Sequence, residues 1–480
     1  MEEATIGDFI GIDIGTTSIK CCILDIKSQI LMEKSIVHDA WLKNGSNLHR
    51  EQDPVKILEV LHNLMKSIEV KLSLNVTVSI TGQMHGIVLW NGQDLANGKL
   101  NCSPLITWMD ERVPVEFLDS LPRWDCGSLH IGFGMVTLAW LHSSGQLNTG
   151  WTCCGTIMDM IISYLSQSSH SFIGIQNAYS WGYCSYNGHW TVSDELVPLH
   201  LLPTICSTEK IVGLVRRANF GLAIGAKLLS SCGDLQSTVY PLLEPGTAVL
   251  NLGTSAQLCF LSTMDRAISA PLFMVPFFGE SEKTKIVVAA SMNGGTNDLK
   301  INYEKLNDIL NEPGKCSLST IDIKPIFIPE RTNNVLSCIS GINSSTTIEE
   351  ACFIFSILFL QQFLNNILYI VYKHVEFIRE VHAYICVIRR TSEYTRKLLH
   401  RTACGIVSNL FHLLPPYQLL REWNIERIKL AGNASKNYFI DEIIRQCCGL
   451  LEVCVSVDAC AKCSAAYGAA LHALHFACIK

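Results

Sequence analysis

A carboxylate, a glycine and two hydroxyls stand together at Asp13, Gly15, Thr16 and Thr17. The run Phe9-Ile10-Gly11-Ile12-Asp13-Ile14 reads as a buried strand, Gly15 permits a sharp reversal, and Ser18-Ile19-Lys20 resumes as a second strand. Two threonines in that turn offer hydroxyls and backbone N–H groups to an anion, the chemistry of a phosphate-binding turn. Asp13 is costly to bury between Ile12 and Ile14 unless it meets a cation, and beside phosphates that cation is hydrated Mg²⁺. The alternative is a plain β-hairpin whose carboxylate is capped by its own turn. No Gly-Lys-Ser/Thr closes the loop, which excludes a Walker A reading.

The pattern occurs twice. Val249-Leu250-Asn251-Leu252-Gly253-Thr254-Ser255 repeats Gly11 to Thr17 about half a chain later, with Asn251 in place of Asp13. Two related domains facing one nucleotide follow, with metal-binding charge on the first side only.

Three further groups carry polar chemistry. Gly233-Asp234-Leu235-Gln236 places Asp234 at the opening of a helix, either as its N-cap or as a base that accepts a substrate hydroxyl's proton during phosphoryl transfer. Gly82-Gln83-Met84-His85-Gly86 is a glycine-flanked turn at a strand end, a natural ligand position in an α/β domain, with a backbone-bonded loop histidine as the alternative. Trp108-Met109-Asp110-Glu111-Arg112 pairs a flat apolar wall with groups that bond hydroxyls and suits a polyol; the alternative is a surface salt bridge between Asp110 and Arg112. Gln176-Asn177-Ala178-Tyr179-Ser180-Trp181-Gly182-Tyr183 adds amides and aromatics that suit a sugar pocket.

The elements that must hold these residues are legible from periodicity. Asp53 caps a helix that starts at Pro54 and carries Ile57, Leu58, Leu61, Leu64, Met65 and Ile68 on one face. Val76, Val78 and Ile80 alternate with Thr77, Ser79 and Thr81 as a strand leading to Gly82. Helices are expected around 137–141, 395–414, 438–448 and 465–476, and strands at 427–430 and 451–457. With 480 residues, 48% hydrophobic and 17% charged, the chain can bury two cores. A net charge of −6 argues against nucleic acid as the main partner. The 21 cysteines include the adjacent pairs Cys21-Cys22, Cys153-Cys154 and Cys447-Cys448, which read as small core residues with reduced thiols. Cys460-Ala461-Lys462-Cys463 lacks the second pair that zinc would need. The opening Met1-Glu2-Glu3-Ala4-Thr5 lacks the basic-then-apolar pattern of a secretory signal, and a cytoplasmic location is expected.

In their order and spacing, these motifs, together with Glu51-Gln52-Asp53-Pro54, resemble the FGGY carbohydrate kinases. The resemblance implies an α/β fold of two ribonuclease H-like domains, of the actin and hexokinase type, facing a central cleft. Residues 1–243 would form the sugar-binding domain with the catalytic aspartate, and 244–480 the nucleotide-binding domain. It implies ATP and Mg²⁺, with Asp13 holding the metal through water and Asp234 as base. Gln83, Met84, His85, Trp108, Asp110 and Asn177 would meet the sugar. Gly15, Thr16, Thr17, Gly253, Thr254, Gly294, Gly432, Asn433 and Asn437 would border ATP. The implied reaction is phosphorylation of a ketose, sedoheptulose first, by way of Gln176 to Tyr183 and Glu422 to Arg427; a shorter ketose such as xylulose or ribulose is second. An inactive sugar- or nucleotide-binding regulatory protein is the alternative of another class.

Two departures from the family pattern stand out. Asn433 occupies a position where the family carries glycine, and Asn tolerates a positive φ better than other non-glycine residues. Residues 349–392 form an apolar insert whose uninterrupted run from Ala351 to Leu360 is shorter than the about twenty residues of a bilayer span. An added amphipathic helix, a partner surface and translated non-coding sequence all fit that stretch.

Overall fold

The computed structural model describes residues 7–43, 46, 48–218, 220–252, 256–262, 268, 272–279, 285–291, 322–324, 338–340, 407–408, 410–432, 444–445, 451–454 and 464–479. The insert at 349–392 and the Cys460/Cys463 pair lie outside them, as do most of the helices expected at 395–414 and 438–448.

Two sheets share one plan. The first combines β1 (Gly7–Ile14), β2 (Ser18–Leu24), β3 (Ile30–Val37), β4 (Leu72–Gly82), β5 (Ile211–Leu214), β6 (Lys227–Leu229) and β7 (Cys232–Gly233). Its order is β5-β6-β4-β1-β2-β3, with β7 alongside β4. The second combines β8 (Thr247–Leu252), β9 (Ala256–Ser262), β10 (Phe273–Pro276), β11 (Lys285–Ser291), β12 (Arg427–Ala431) and β13 (Glu452–Cys454), in the order β10-β11-β9-β8-β12-β13. In each, an antiparallel hairpin continues into parallel strands: β2-β1-β4-β6 in one, β9-β8-β12-β13 in the other. The duplicated sequence motif is therefore a duplicated frame.

Local signals place the helices. In α1 (Pro54–Lys66), Asp53 Oδ1 accepts the Val55 N–H at 2.8 Å, and Ile57, Leu58, Leu61, Leu64 and Met65 are buried as their spacing predicts. α2 (Ile157–Ser166) opens with a reciprocal capping box between Thr156 and Asp159. α3 (Ile175–Ser180) and α4 (Asp234–Val239) each follow directly from a strand end. Gly233, not Asp234, is the N-cap of α4; Asp234 is its first helical residue.

The final helix, α5 (Ala465–Ile479), returns to the first sheet and packs on β1, β2, β4 and α4. It is buried along Ala465, Ala466, Ala469, Ala470 and Ala473, small residues that let backbones approach. The approach is closest at Gly11, where a Cβ would stand 1.9 Å from the Ala466 carbonyl oxygen. Phe9, Cys22 and Leu24 pack against Tyr467, Leu474 and Phe476 on the same face. Cys21 and Cys22 are fully buried, and desolvation pushes the Cys21 thiol up to about 12, the behaviour of a small core residue. Among the described residues no helix is long and apolar enough to cross a membrane.

Candidate active site

Register brings the chemistry together. Ile14 of β1 pairs with Gly82 of β4, and Gly82 pairs with Gly233 of β7, in parallel. Three neighbouring strands thus end at one level, and the residues beyond those ends are Gly15 to Thr17, Gln83 to His85, and Asp234. Carboxyl ends of parallel strands are where open α/β sheets bind ligands. The second sheet repeats the arrangement: Asn251 pairs with Ala431, so Gly432 emerges beside the end of β8. A Cβ on Gly432, which has φ +85°, would meet the Leu252 carbonyl oxygen at 2.4 Å. Gly253, Thr254, Gly294, Asn433 and Asn437 lie outside the described residues.

Asp13 is 5% exposed, and its partner Lys20 lies across the hairpin at 3.5 Å with 41% of its side chain exposed. That contact is longer than the about 2.7–2.9 Å of a strong charge-assisted bond. Burial wins: desolvation raises the Asp13 carboxyl above its ordinary value, and Lys20 offsets this only in part. Asp234 is partly open and donates nothing to the protein; its Oδ1 accepts the Leu235 N–H at 2.8 Å. Desolvation first, and then the charge of Asp13, raise it to about 7. Each carboxylate sits in surroundings that would favour added positive charge. Oxygen donors of this kind suit Mg²⁺, which takes one or two carboxylates together with phosphate oxygens and water.

The turn at Gly15 is held from three sides. His38 is 1% exposed; its Nδ1 accepts the Ala40 N–H at 3.2 Å, so Nε2–H donates to the Gly15 carbonyl at 3.1 Å. Burial lowers the His38 pKa, which keeps the ring neutral and this tautomer in place. Gln52 Nε2 donates to the Thr16 carbonyl at 2.7 Å, and Trp108 Nε1 donates to Thr16 Oγ1 at 3.2 Å. Within the turn the Gly15 N–H donates to the Ser18 carbonyl at 3.0 Å and the His38 N–H to the Thr17 carbonyl at 3.1 Å, while Thr16 is partly exposed and Thr17 exposed.

The second turn is equally fixed. His85 adopts φ +70°, a region rare for non-glycine residues; its Nδ1–H donates to the Ser180 carbonyl at 2.6 Å, and its ring stacks on Phe133 at 4.7 Å. Met84 covers Gly233, where a Cβ would meet its Sδ and Cε at 2.7 Å, so the thioether lies beside Asp234. Behind both, α3 braces the approach to Asp234: Gln176 Oε1 accepts the Gly233 N–H at 2.9 Å, and Asn177 Nδ2 donates to Ser231 Oγ at 2.9 Å. Ser231 in turn donates to Asp159 Oδ1 at 2.5 Å. Gln176 and Asn177 are both buried.

Asp110 is placed differently from a free polyol contact. It is 2% exposed, and Arg112 Nε and Nη2 donate to its two oxygens at 2.7 and 2.8 Å. The backbone N–H groups of Arg112 and Arg50 take the remaining positions at 3.0 and 2.8 Å, and Arg112 also reaches Glu51 at 2.6 Å. The Asp110–Arg112 pair, the alternative to a polyol contact, is thus formed, but buried and joined by Glu51 instead of lying at the surface.

Sequence reasoning assigned no role to His38 or Gln52. His38 carried no motif signal. Gln52 did carry one: an amide beside an N-cap, in the stretch Glu51 to Pro54, that turns out to be fully buried. A surface cavity of about 540 Å³, lined by Met65, Lys66, Ile68, Val70, Leu72 and Gly221, lies at the opposite end of β4 from Gly82 and is separate from this site.

Comparisons with known proteins agree with the geometry. Residues 9–239 match the N-terminal domain of the FGGY family of carbohydrate kinases. A sedoheptulokinase from Mus musculus is 29% identical, covering 96% of each chain, and one from Homo sapiens is 28% identical, covering 91% of this chain and 92% of its own. A Plasmodium falciparum glycerol kinase solved with ADP superposes with TM-score 0.70 at 17% identity, covering 100% of this chain and 91% of its own. A xylulose kinase from Lactobacillus acidophilus gives TM-score 0.69 at 16% identity, over 98% and 89% of the two chains. With the duplicated sheets and the strand-end site already in place, these likenesses lead to one conclusion: residues 9–239 are an N-terminal domain of the FGGY family of carbohydrate kinases, and the chain as a whole is similar to the sugar kinases of that family.

Proposed function

We propose that the chain phosphorylates a ketose with ATP, sedoheptulose first, forming sedoheptulose 7-phosphate. The observation that carries this reading is the shared level of three strand ends, which places Asp13, the Gly15 to Thr17 turn, the Gln83 to His85 turn and Asp234 around one point. The choice of ketose rests on the two sedoheptulokinases.

In this mechanism the acceptor hydroxyl sits between Met84, His85 and Asp234, with Trp108 as a wall and Asn177 behind. Its oxygen attacks the γ-phosphorus, its proton passes to Asp234, and the bond to the β-phosphate oxygen breaks to release ADP. A carboxyl raised to about 7 is a better proton acceptor than an ordinary aspartate, and in a loose transition state its position matters more than its basicity. Gly15 closes the turn by donating its N–H to the Ser18 carbonyl at 3.0 Å, and the backbone N–H groups of Thr16 and Thr17 hold the transferred phosphate. At the end of the second sheet Gly432 borders the nucleotide, a role that the family resemblance also gives Gly253, Thr254, Gly294, Asn433 and Asn437. Asp13 would hold Mg²⁺ through water, and the bound ion would supply positive charge to offset that of the phosphates.

Purified protein assayed with ATP and Mg²⁺ against sedoheptulose, xylulose and ribulose tests the proposal. The highest kcat/KM is expected with sedoheptulose. Preference for a shorter ketose would reassign the substrate, and ATP binding without turnover of any ketose would favour a regulatory binding protein.

A further inference from the structure

Two buried amides form a one-way chain that ends on the phosphate turn. The Thr16 carbonyl only accepts, so the Gln52 atom facing it at 2.7 Å is the NH₂ group. Gln52 Oε1 is thereby turned towards Gln83, whose Nε2 donates to it at 2.9 Å. The direction of each amide is forced by the one before it, and the last free pole is Gln83 Oε1. That oxygen is an acceptor, it is buried on a residue only 3% exposed, and no donor among the described residues meets it. A buried acceptor left without a donor is unfavourable, and the group that satisfies it must carry an O–H or N–H.

Gln83 heads the turn whose Met84 covers Gly233, next to Asp234. A polyol seated at Asp234 has hydroxyls to donate there. We propose that Gln52 is a positioning residue: a sugar hydroxyl donating to Gln83 Oε1 locks both amides and so fixes the Thr16 carbonyl, and with it the turn that holds the phosphates. Gly15 is anchored separately by His38 and the Thr16 hydroxyl by Trp108, so the amide chain is the route that reaches the Thr16 carbonyl. Linkage makes the effect reciprocal, with nucleotide tightening sugar by the same factor. The inference rests on the ketose kinase reading above.

The test measures the affinity of Mg²⁺ and the ATP analogue AMP-PNP with and without saturating sedoheptulose, alongside sedoheptulose turnover with ATP. In the wild type, sugar is expected to tighten the analogue roughly tenfold, within the usual range of such couplings. Gln52→Met keeps the volume and removes both bonds; Gln52→Glu keeps the shape but sets a carboxylate against the Thr16 carbonyl. Both are expected to reduce the sugar-induced tightening to less than about twofold while thermal unfolding shows a folded protein. In Gln52→Glu the tightening returns as the pH is lowered, because a protonated carboxyl again donates to Thr16, a signature that a purely structural role would not produce. Should Gln52→Met fail to fold, Gln52→Glu and its pH response decide. Wild-type turnover combined with sugar-independent nucleotide affinity, or variants that keep the wild-type ratio, would overturn the relay alone. Failure of the wild type to bind or phosphorylate the ketose would overturn the functional reading and the relay with it.

Discussion

In the first hairpin, β1 and β2 set Asp13 against Lys20 at 3.5 Å; in the second, β8 and β9 set Asn251 against Gln257, closed by a neutral amide bond of 2.8 Å. The frames match, and the polarity of one cross-strand pair does not. The neutral pair is complete as it stands. The charged pair is not, since a long bond to a half-exposed lysine leaves a buried carboxylate undercompensated. Duplication supplied the scaffold twice, and a change of charge at one position separated a side that calls for a cation from a side that does not.

Four changes would break or sharpen that comparison. The largest effect is expected from Asp234→Asn, which removes the proposed base while leaving the hairpins intact. Its kcat should fall roughly 10²–10⁴-fold with nucleotide affinity nearly unchanged, measured by steady-state kinetics and calorimetry. Retention of more than about a tenth of the wild-type kcat would take Asp234 out of this role.

Asp13→Asn gives the first hairpin the polarity of the second. Turnover at limiting Mg²⁺ should drop roughly 10–100-fold, the range for groups that hold a metal indirectly, and added Mg²⁺ should restore part of it. Thermal stability should hold or rise, because a buried charge is lost. An unchanged Mg²⁺ titration would return Asp13 to a purely structural carboxylate.

The converse change, Asn251→Asp, puts charge on the proposed nucleotide side. Gln257 can turn its amide to donate, so folding should change little, while the added negative charge should weaken ATP binding about tenfold. Equal ATP affinity in variant and wild type would show that Asn251 does not face the phosphates.

Asp159 provides a buried carboxylate of another kind, one satisfied by Thr156 N–H, Thr156 Oγ1–H and Ser231 Oγ–H. Burial still raises it from 3.8 to about 6. A folded-state pKa above the unfolded value means that its stabilising contribution is full below the unfolded pKa and is lost as pH rises through the folded one. Unfolding temperature should therefore decline between about pH 4 and 6, and Asp159→Asn should flatten that decline. A slope unchanged in the variant would assign it to other groups.

Much of this was legible in the chain itself. The Asp53 cap, the apolar face of α1, the alternation before Gly82 and the doubled Gly-Thr turn are local patterns, because hydrophobic period and cap chemistry act over a few residues. They indicated the fold class and pointed to Asp13, Gly15, Asp234 and the Gln83 to His85 turn. Register was not legible: that Ile14, Gly82 and Gly233 end at one level depends on pairings between residues far apart in sequence. For the same reason the sequence left open whether Asp110 and Arg112 met a polyol or formed a surface salt bridge, and it did not show that their bond is buried. It also assigned no role to His38 or Gln52, whose side chains acquire meaning only when folding brings the Gly15 and Thr16 carbonyls to them. A hydrogen bond has direction and short reach, so the sequence can supply its donor but only the tertiary structure supplies its acceptor.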